Sequence, residues 1–263
     1  MLELGGSSLL RPPICAEFSA KKITKASSVR PLGWRKVFPL KWAEYAGVIG
    51  TTSHEPRIDL QPSPAAGPTA MRISGGVARG ITLLVPKGDA VRPATDGMRQ
   101  AVFSSLGSRV SEAWFLDLFA GSGAYGLEAA SRGAAGGVFV EQSAKAAACV
   151  RANIAAVAKS IGRGTEAFAV VKADARNVPL GGGKVPDLVF IDPPYEIIPE
   201  VAPGLFQRLS ELLASKPDAV VVFEYPGEIE LAPPGWELRK RLGKGARQPT
   251  VGFFLRAGPV AAA

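Results

Sequence analysis

Asp192-Pro193-Pro194-Tyr195 is the segment of this 263-residue chain whose residue types come nearest to a chemical device. It directly follows the apolar run Leu188-Val189-Phe190-Ile191, so the acid stands at the exit of a buried strand. A carboxylate there, together with a backbone carbonyl of the proline pair, can accept both hydrogen bonds of an exocyclic NH2 group. Accepting them draws the nitrogen lone pair out of conjugation with its ring and aims it at an electrophile. Prolines carry no N–H, so no donor competes beside these acceptors. Tyr195 offers a ring face on which an unpaired or flipped base stacks, a contact of about 1–3 kcal/mol. Two prolines alone also make an ordinary stiffened strand exit. A second motif at a compatible place tips the balance toward chemistry.

That motif is Asp117-Leu118-Phe119-Ala120-Gly121-Ser122-Gly123-Ala124-Tyr125-Gly126. Gly121, Gly123 and Gly126 satisfy G-x-G-x-x-G, and Glu141 follows about 20 residues after the first glycine. Glycines where a strand turns into a helix let the backbone approach a ligand closely. An acid at the tip of the next strand accepts ribose hydroxyls. By itself the pattern fits a dinucleotide. Asp117, just ahead of the glycines, changes the reading, because its carboxylate repels a pyrophosphate and attracts an ammonium or sulfonium group. The ligand this points to is S-adenosylmethionine.

Other chemistries are poorly supplied. Cys15 and Cys149 cannot build a disulfide framework, and His54, the one histidine, cannot complete a zinc site with them. No metal is expected. No run of about 18 uncharged apolar residues exists, so a membrane-spanning helix is excluded. Lys and Arg number 31 against 23 Asp and Glu, a net charge of +8. Such an excess favours phosphate-rich partners, although many soluble proteins are merely basic. The composition predicts a soluble, cytoplasmic protein.

The elements that must hold these motifs alternate from Ala113 onward. Strands are predicted over 113–119, 137–141, 167–172, 188–191 and 219–223, each a short apolar run. Helices are predicted over 123–131, over an alanine-rich stretch N-capped by Ser143, and from about Glu200 to Ala214. Segments 236–242 and 250–256 read as a terminal hairpin. The expected fold is α/β, a mainly parallel seven-stranded sheet of Rossmann-like type with an antiparallel end, covered on both faces. A ligand then belongs at the carboxyl ends of the strands, where strand order switches. Ahead of the 113–263 domain, residues 71–112 read as a small module: a hairpin around Gly75-Gly76, then a helix N-capped by Thr95 and running to about Leu106.

The order of glycine motif, acidic strand tip and D-P-P-Y resembles the amino-methyltransferases that use S-adenosylmethionine. Residues 71–256 resemble more closely the RsmD family of bacterial guanine-N2 methyltransferases of small-subunit ribosomal RNA. Met71-Arg72-Ile73-Ser74-Gly75-Gly76 with Arg79-Gly80 matches the opening of that family, Arg92-Pro93-Ala94-Thr95-Asp96 its R-P-T-x-D segment, and Asp117 to Ala134 its D-L-F-A-G-S-G-x-x-G-L-E-A-x-S-R-G-A block. Gly97 and Gln100 depart from the Arg and Glu usual there, and 245–250 departs from a usual Tyr-Gly stretch.

The resemblance implies methyl transfer to the N2 amine of a guanine in 16S ribosomal RNA, free or in an assembling small subunit; separately, a monomer is expected. It implies that Asp192, Pro193, Pro194 and Tyr195 act on the target base. It implies that Asp117, Phe119, Gly121, Gly123 and Glu141 hold S-adenosylmethionine, with Arg92, Thr95 and Asp96 closing the pocket. Asp174 either meets the adenine or simply caps a turn. Arg72, Arg79 and Arg99 are candidates for RNA phosphates. The alternatives are the same chemistry on a DNA adenine or a protein amide, and a non-catalytic RNA-binding module. The intact D-P-P-Y tells against the last of these.

Residues 1–70 are more densely basic than the rest, show no stable apolar period and close on Gln61-Pro62-Ser63-Pro64-Ala65-Ala66-Gly67-Pro68, a linker composition. They read as a disordered basic arm, a targeting segment or an upstream start, with the last favoured because the family-like opening begins at Met71.

Overall fold

The computed structural model describes residues 71–86, 96–181, 183–243, 245 and 248–258. They belong to one of the chain's two compact units, Gly33–Ala263; the other, Met1–Leu32, lies outside the described residues, as does all of the expected leader 1–70. The helices are α1 (Asp96–Leu106), α2 (Ala124–Ser131), α3 (Ala144–Ser160) and α4 (Ile198–Leu212). The strands are β1 (Trp114–Leu118), β2 (Gly136–Glu141), β3 (Phe168–Lys172), β4 (Leu188–Ile191), β5 (Val220–Pro226), β6 (Trp236–Leu242) and β7 (Pro249–Arg256).

These seven strands form one sheet in the order β3-β2-β1-β4-β5-β7-β6. β1 to β5 run parallel, and β7 enters antiparallel between β5 and β6. The chain winds outward from β1 to β3, then returns to lay β4 on the other side of β1. The switch in strand order therefore falls between β1 and β4, the place where an open α/β sheet leaves a crevice.

Each of β1, β2, β4 and β5 is buried along its whole length, as a sheet covered on both faces requires. One face carries Phe115, Phe139, Val170, Phe190 and Val222 against Val102 and Phe103 of α1, Leu127 of α2, and Val150 and Ile154 of α3. The other carries Leu116, Val140, Val189, Ile191 and Phe223 against Val201, Leu205, Phe206 and Leu209 of α4. β6 is the edge strand: only Trp236 is buried, and Arg239, Lys240 and Arg241 present charge outward. Its register also shifts between Leu238 and Lys240, a bulge that blunts an otherwise open edge.

The segment expected to be a hairpin around Gly75-Gly76 is reduced to one antiparallel bridge, Arg72 to Thr82. Flanking bonds run from Ile73 N–H to Ile81 C=O at 2.9 Å and from Leu83 N–H to Met71 C=O at 2.8 Å. The ladder stops there because the turn binds α2 instead. Val77 N–H donates to Ser131 C=O at 2.8 Å, Ala78 N–H to Ser131 Oγ at 2.9 Å, and Ser131 Oγ to Gly75 C=O at 2.6 Å. A Cβ at Gly76, whose φ is +78°, would stand 2.1 Å from Ser131 O, so only glycine allows this approach. Farther along, Asn153 of α3 holds both backbone groups of Leu84 and also donates to Ser122 C=O in the glycine loop.

Candidate active site

Four carboxylates stand at or beside the carboxyl ends of the central strands: Asp117 in β1, Glu141 ending β2, Asp192 just past β4, and Glu224 in β5. Register aligns Asp117 with Phe190 and Ile191 with Phe223, so Asp192 and Glu224 occupy neighbouring places one step farther on. Alternation along the strands turns Asp117 and Glu224 to the same face of the sheet, the face of Phe115 and Phe190. α1 and α2 cover that face.

The loop between β1 and α2 is built from left-handed backbone. Phe119 has φ +60°, Gly121 +56° and Gly123 +80°. Gly126 and Gly121 are glycine for different reasons. A Cβ at Gly126 would lie 2.4 Å from Phe139 Cε1 and 2.6 Å from Phe115 Cε2, so this residue lets α2 lie close on the sheet. A Cβ at Gly121 would find only Phe119 O, at 4.0 Å, so the backbone there opens onto free space. Phe119 bears the same backbone turn without being glycine, a local strain of about 1–3 kcal/mol of the kind that clusters at ligand clamps. Glu141 pins this loop: it accepts Gly121 N–H on Oε2 at 2.9 Å and Ser143 N–H on Oε1 at 2.7 Å. Ser143 in turn caps α3, accepting Ala146 N–H at 3.3 Å.

Asp117 is buried and accepts Gly126 N–H on Oδ2 at 2.9 Å. Burial pushes its carboxyl up to about 8; the Gly126 bond opposes the shift and the charge of Glu141 adds to it. Asp192 rises well above the usual carboxylate range through burial and through the charges of Glu224 and Asp117, with Arg99 opposing. Glu224, 2% exposed, is raised by burial, and hydrogen bonds from Tyr125 and Tyr195 hold it back. These bonds run from Tyr125 Oη to Oε2 at 2.9 Å and from Tyr195 Oη to Oε1 at 3.5 Å. Asp192 and Glu224 thus share the positive charge of Arg99, with Asp117 close enough to Asp192 to repel it. Once Asp117 gives up its proton, its carboxylate suits a cationic ligand group and is hostile to a pyrophosphate.

The remaining predicted residues fall as follows. Pro193 is buried, Pro194 exposed and Tyr195 half-buried, at the start of a 3-10 turn, Tyr195–Ile197. Asp96 opens α1 and bridges two arginines, Arg72 Nε at 2.9 Å and Arg99 Nη2 at 2.6 Å. Arg72 and Arg79 are exposed. Arg99 is not: it is 1% exposed and donates to Arg72 C=O at 2.7 Å. The expectation of a phosphate contact is corrected for Arg99, because a buried guanidinium facing carboxylates has no phosphate within reach. Asp174 is taken up by Arg176, whose Nε lies 2.8 Å from Oδ2 and whose N–H lies 2.9 Å from Oδ1, the turn-capping alternative. This pairing lowers the Asp174 carboxyl. Arg92 and Thr95 lie outside the described residues.

Sequence reasoning overlooked Glu224 and Tyr125. The signal for Glu224 was present: it follows the apolar run Ala219-Val220-Val221-Val222-Phe223, just as Asp192 follows Leu188 to Ile191. Tyr125 gave no such signal, since a tyrosine inside a glycine motif reads as filler.

Residues 71–251 match the family model described as Conserved hypothetical protein 95. The ribosomal RNA small subunit methyltransferase D of Escherichia coli K12 is 32% identical over 181 residues, covering 66% of this chain and 85% of that protein. Its namesake in Haemophilus influenzae is 30% identical, covering 65% and 86%. Among solved structures, the putative methyltransferase yhhF of Escherichia coli superposes with a TM-score of 0.56 at 32% identity, over 71% of this chain and 97% of that one. A hypothetical protein of Thermus thermophilus gives 0.54 at 31% identity, over 71% and 99%. The sheet order, the glycine loop and these likenesses agree: the chain belongs to the Conserved hypothetical protein 95 family, the RsmD-type methyltransferases with a Rossmann-like fold.

Proposed function

We propose that this chain transfers a methyl group from S-adenosylmethionine to the exocyclic N2 amine of a guanine in small-subunit ribosomal RNA. The observation that carries the reading is the adjacency of the Asp192–Tyr195 loop and the glycine loop across the β1–β4 switch point. Relatives named as ribosomal RNA small subunit methyltransferases support the choice of RNA.

The residues suit the cofactor. The open backbone at Gly121 admits a close ligand, Glu141 stands at the β2 tip where ribose hydroxyls would be bound, and Asp117, once ionised, favours a cation. When bound, S-adenosylmethionine supplies a methyl group already activated on a sulfonium.

The chain's own work is then positioning, because no strong base is needed to activate the nucleophile. Asp192 accepts an N–H of the target amine and draws its lone pair out of conjugation with the ring. Tyr195 gives the base a face to stack on. Once the nitrogen has gained its methyl it must lose a proton, and Asp192, whose burial makes it more basic than an ordinary carboxylate, takes it. The proton leaves the nitrogen, the lone pair returns to the ring, and Arg99 offsets the charge of the carboxylate set.

The test is mass mapping of methylated nucleosides in small-subunit RNA from cells with and without the protein. One N2-methylguanosine should disappear without it. An unchanged guanine pattern overturns the RNA reading.

A further inference from the structure

Glu224 is a buried acid that the transfer step does not use. Burying a carboxylate costs several kcal/mol unless it is well bonded, and an apolar residue would fill this place in β5 more cheaply. Its two oxygens do different things. Oε2 holds Tyr125, the residue before the last glycine of the glycine motif, and Oε1 holds Tyr195, the aromatic of the D-P-P-Y loop. Tyr125 is itself fixed: its ring stacks on Phe190 with centroids 5.4 Å apart at 15°, and Phe103 packs against both. Tyr195 sits on a short 3-10 turn at the mouth of the crevice, half-buried. A carboxylate is the side chain that can accept from two phenols on separate oxygens; an amide offers only one acceptor oxygen.

We propose that Glu224 is a positioning residue that ties the base platform Tyr195 to the glycine loop through Tyr125, so that target and cofactor loops are held in one frame. The proposal rests on the methyl-transfer reading given above. The bond to Tyr195 is the longer of the two, so Glu224 limits where the ring can swing rather than locking it. Transfer is sensitive to such limits, because the attacking nitrogen must lie in line with the methyl group.

The test is a double-mutant cycle in the full chain, using Glu224→Gln, Tyr195→Phe and both together. Methyl transfer is followed with labelled S-adenosylmethionine and small-subunit particles lacking the methyl group. Each single change should lower kcat about five- to twentyfold while cofactor Kd stays within about threefold, and the double variant should be no slower than the slower single one. Losses that multiply, or a loss of cofactor affinity that matches the loss in rate, overturn the proposal. Should Glu224→Gln not fold, Tyr125→Phe removes the other half of the tie and must slow kcat in the same way.

A second readout needs no RNA. With 3-fluorotyrosine incorporated and the signals assigned by Phe substitution, the fluorine resonances of Tyr125 and Tyr195 should both shift in Glu224→Gln. An unmoved Tyr195 resonance overturns the tie whatever the substrate. If both move but the unaltered protein methylates no ribosomal RNA, the tie stands and the proposed function falls.

Discussion

Ser74 donates both its backbone N–H and its hydroxyl to the fully buried carboxylate of Glu128, each at 2.7 Å. Arg132, one turn along from Glu128, meets the same carboxylate at 2.8 Å. This contact explains much of the block from Leu127 to Arg132. Its acid, serine and arginine serve packing. They dock the segment that begins at Met71 onto the helix that follows the glycine loop.

Glu128→Ala should therefore destabilise the fold by about 3–5 kcal/mol, since it strips a buried pair of one member and leaves Ser74 and Arg132 without their acceptor. Chemical unfolding measures it. A loss below about 1 kcal/mol would reduce the docking contact to the level of a surface pair and contradict its burial.

Asp192→Ala should abolish methyl transfer while leaving cofactor affinity within a small factor. Glu141→Gln should first weaken the cofactor, because one of its two oxygens becomes an amide at the strand tip. Glutamine is the milder change here, as it keeps one acceptor oxygen for Gly121 or Ser143 where alanine releases both. Calorimetry on both variants decides it: the assignment fails if Asp192→Ala loses the cofactor and Glu141→Gln keeps it.

Cofactor affinity should rise with pH toward about 8. In the free protein burial holds the Asp117 carboxyl at about 8 against an ordinary 3.8, so below that value it carries a proton. A sulfonium favours the ionised form, and binding then releases the proton. Glu141 adds to the Asp117 shift; Asp117 in turn helps raise Asp192, which burial and Glu224 also raise, and Arg99 opposes the shifts of Asp192 and Glu224. The stability of the free protein has the opposite slope. A group with a raised folded value stabilises below its unfolded value and loses that contribution as pH climbs, so Asp117 costs stability between about 3.8 and about 8. Titration calorimetry in two buffers of different ionisation heat should detect proton release at pH 7, and Asp117→Asn should make the pH dependence shallower. Proton uptake on binding would reverse the sign and refute the scheme.

Gly126→Ala and Gly121→Ala should fail in different ways. The added methyl at Gly126 meets two phenylalanine rings at 2.4 and 2.6 Å, an overpacking worth about 1–3 kcal/mol of stability. At Gly121 the methyl meets almost nothing, and left-handed backbone costs about 1–2 kcal/mol. Gly121→Ala should instead lose cofactor affinity beyond its effect on the unfolding midpoint, as it fills the space a ligand would enter. Equal effects of both changes on stability and on affinity would show that the two glycines do one job.

The strands that carry the site were legible because a buried parallel strand writes itself as an unbroken apolar run, against which an acid stands out. Leu188 to Ile191 with Asp192, and Trp114 to Leu118 around Asp117, are read from neighbours in the chain alone. So are the cap at Ser143 and the glycine loop, whose demands are local. Tertiary structure decided what local spacing cannot express. Glu224 finds Tyr125 across 99 positions and Ser74 finds Glu128 across 54, so neither pair leaves a periodic trace. Arg99 and Arg72 look alike in the sequence, but α1 turns one into the carboxylate cluster and leaves the other outside. Residue type sets which groups are able to bind or react. Burial, which only packing assigns, sets which of them are charged, which are satisfied, and which are left facing the crevice.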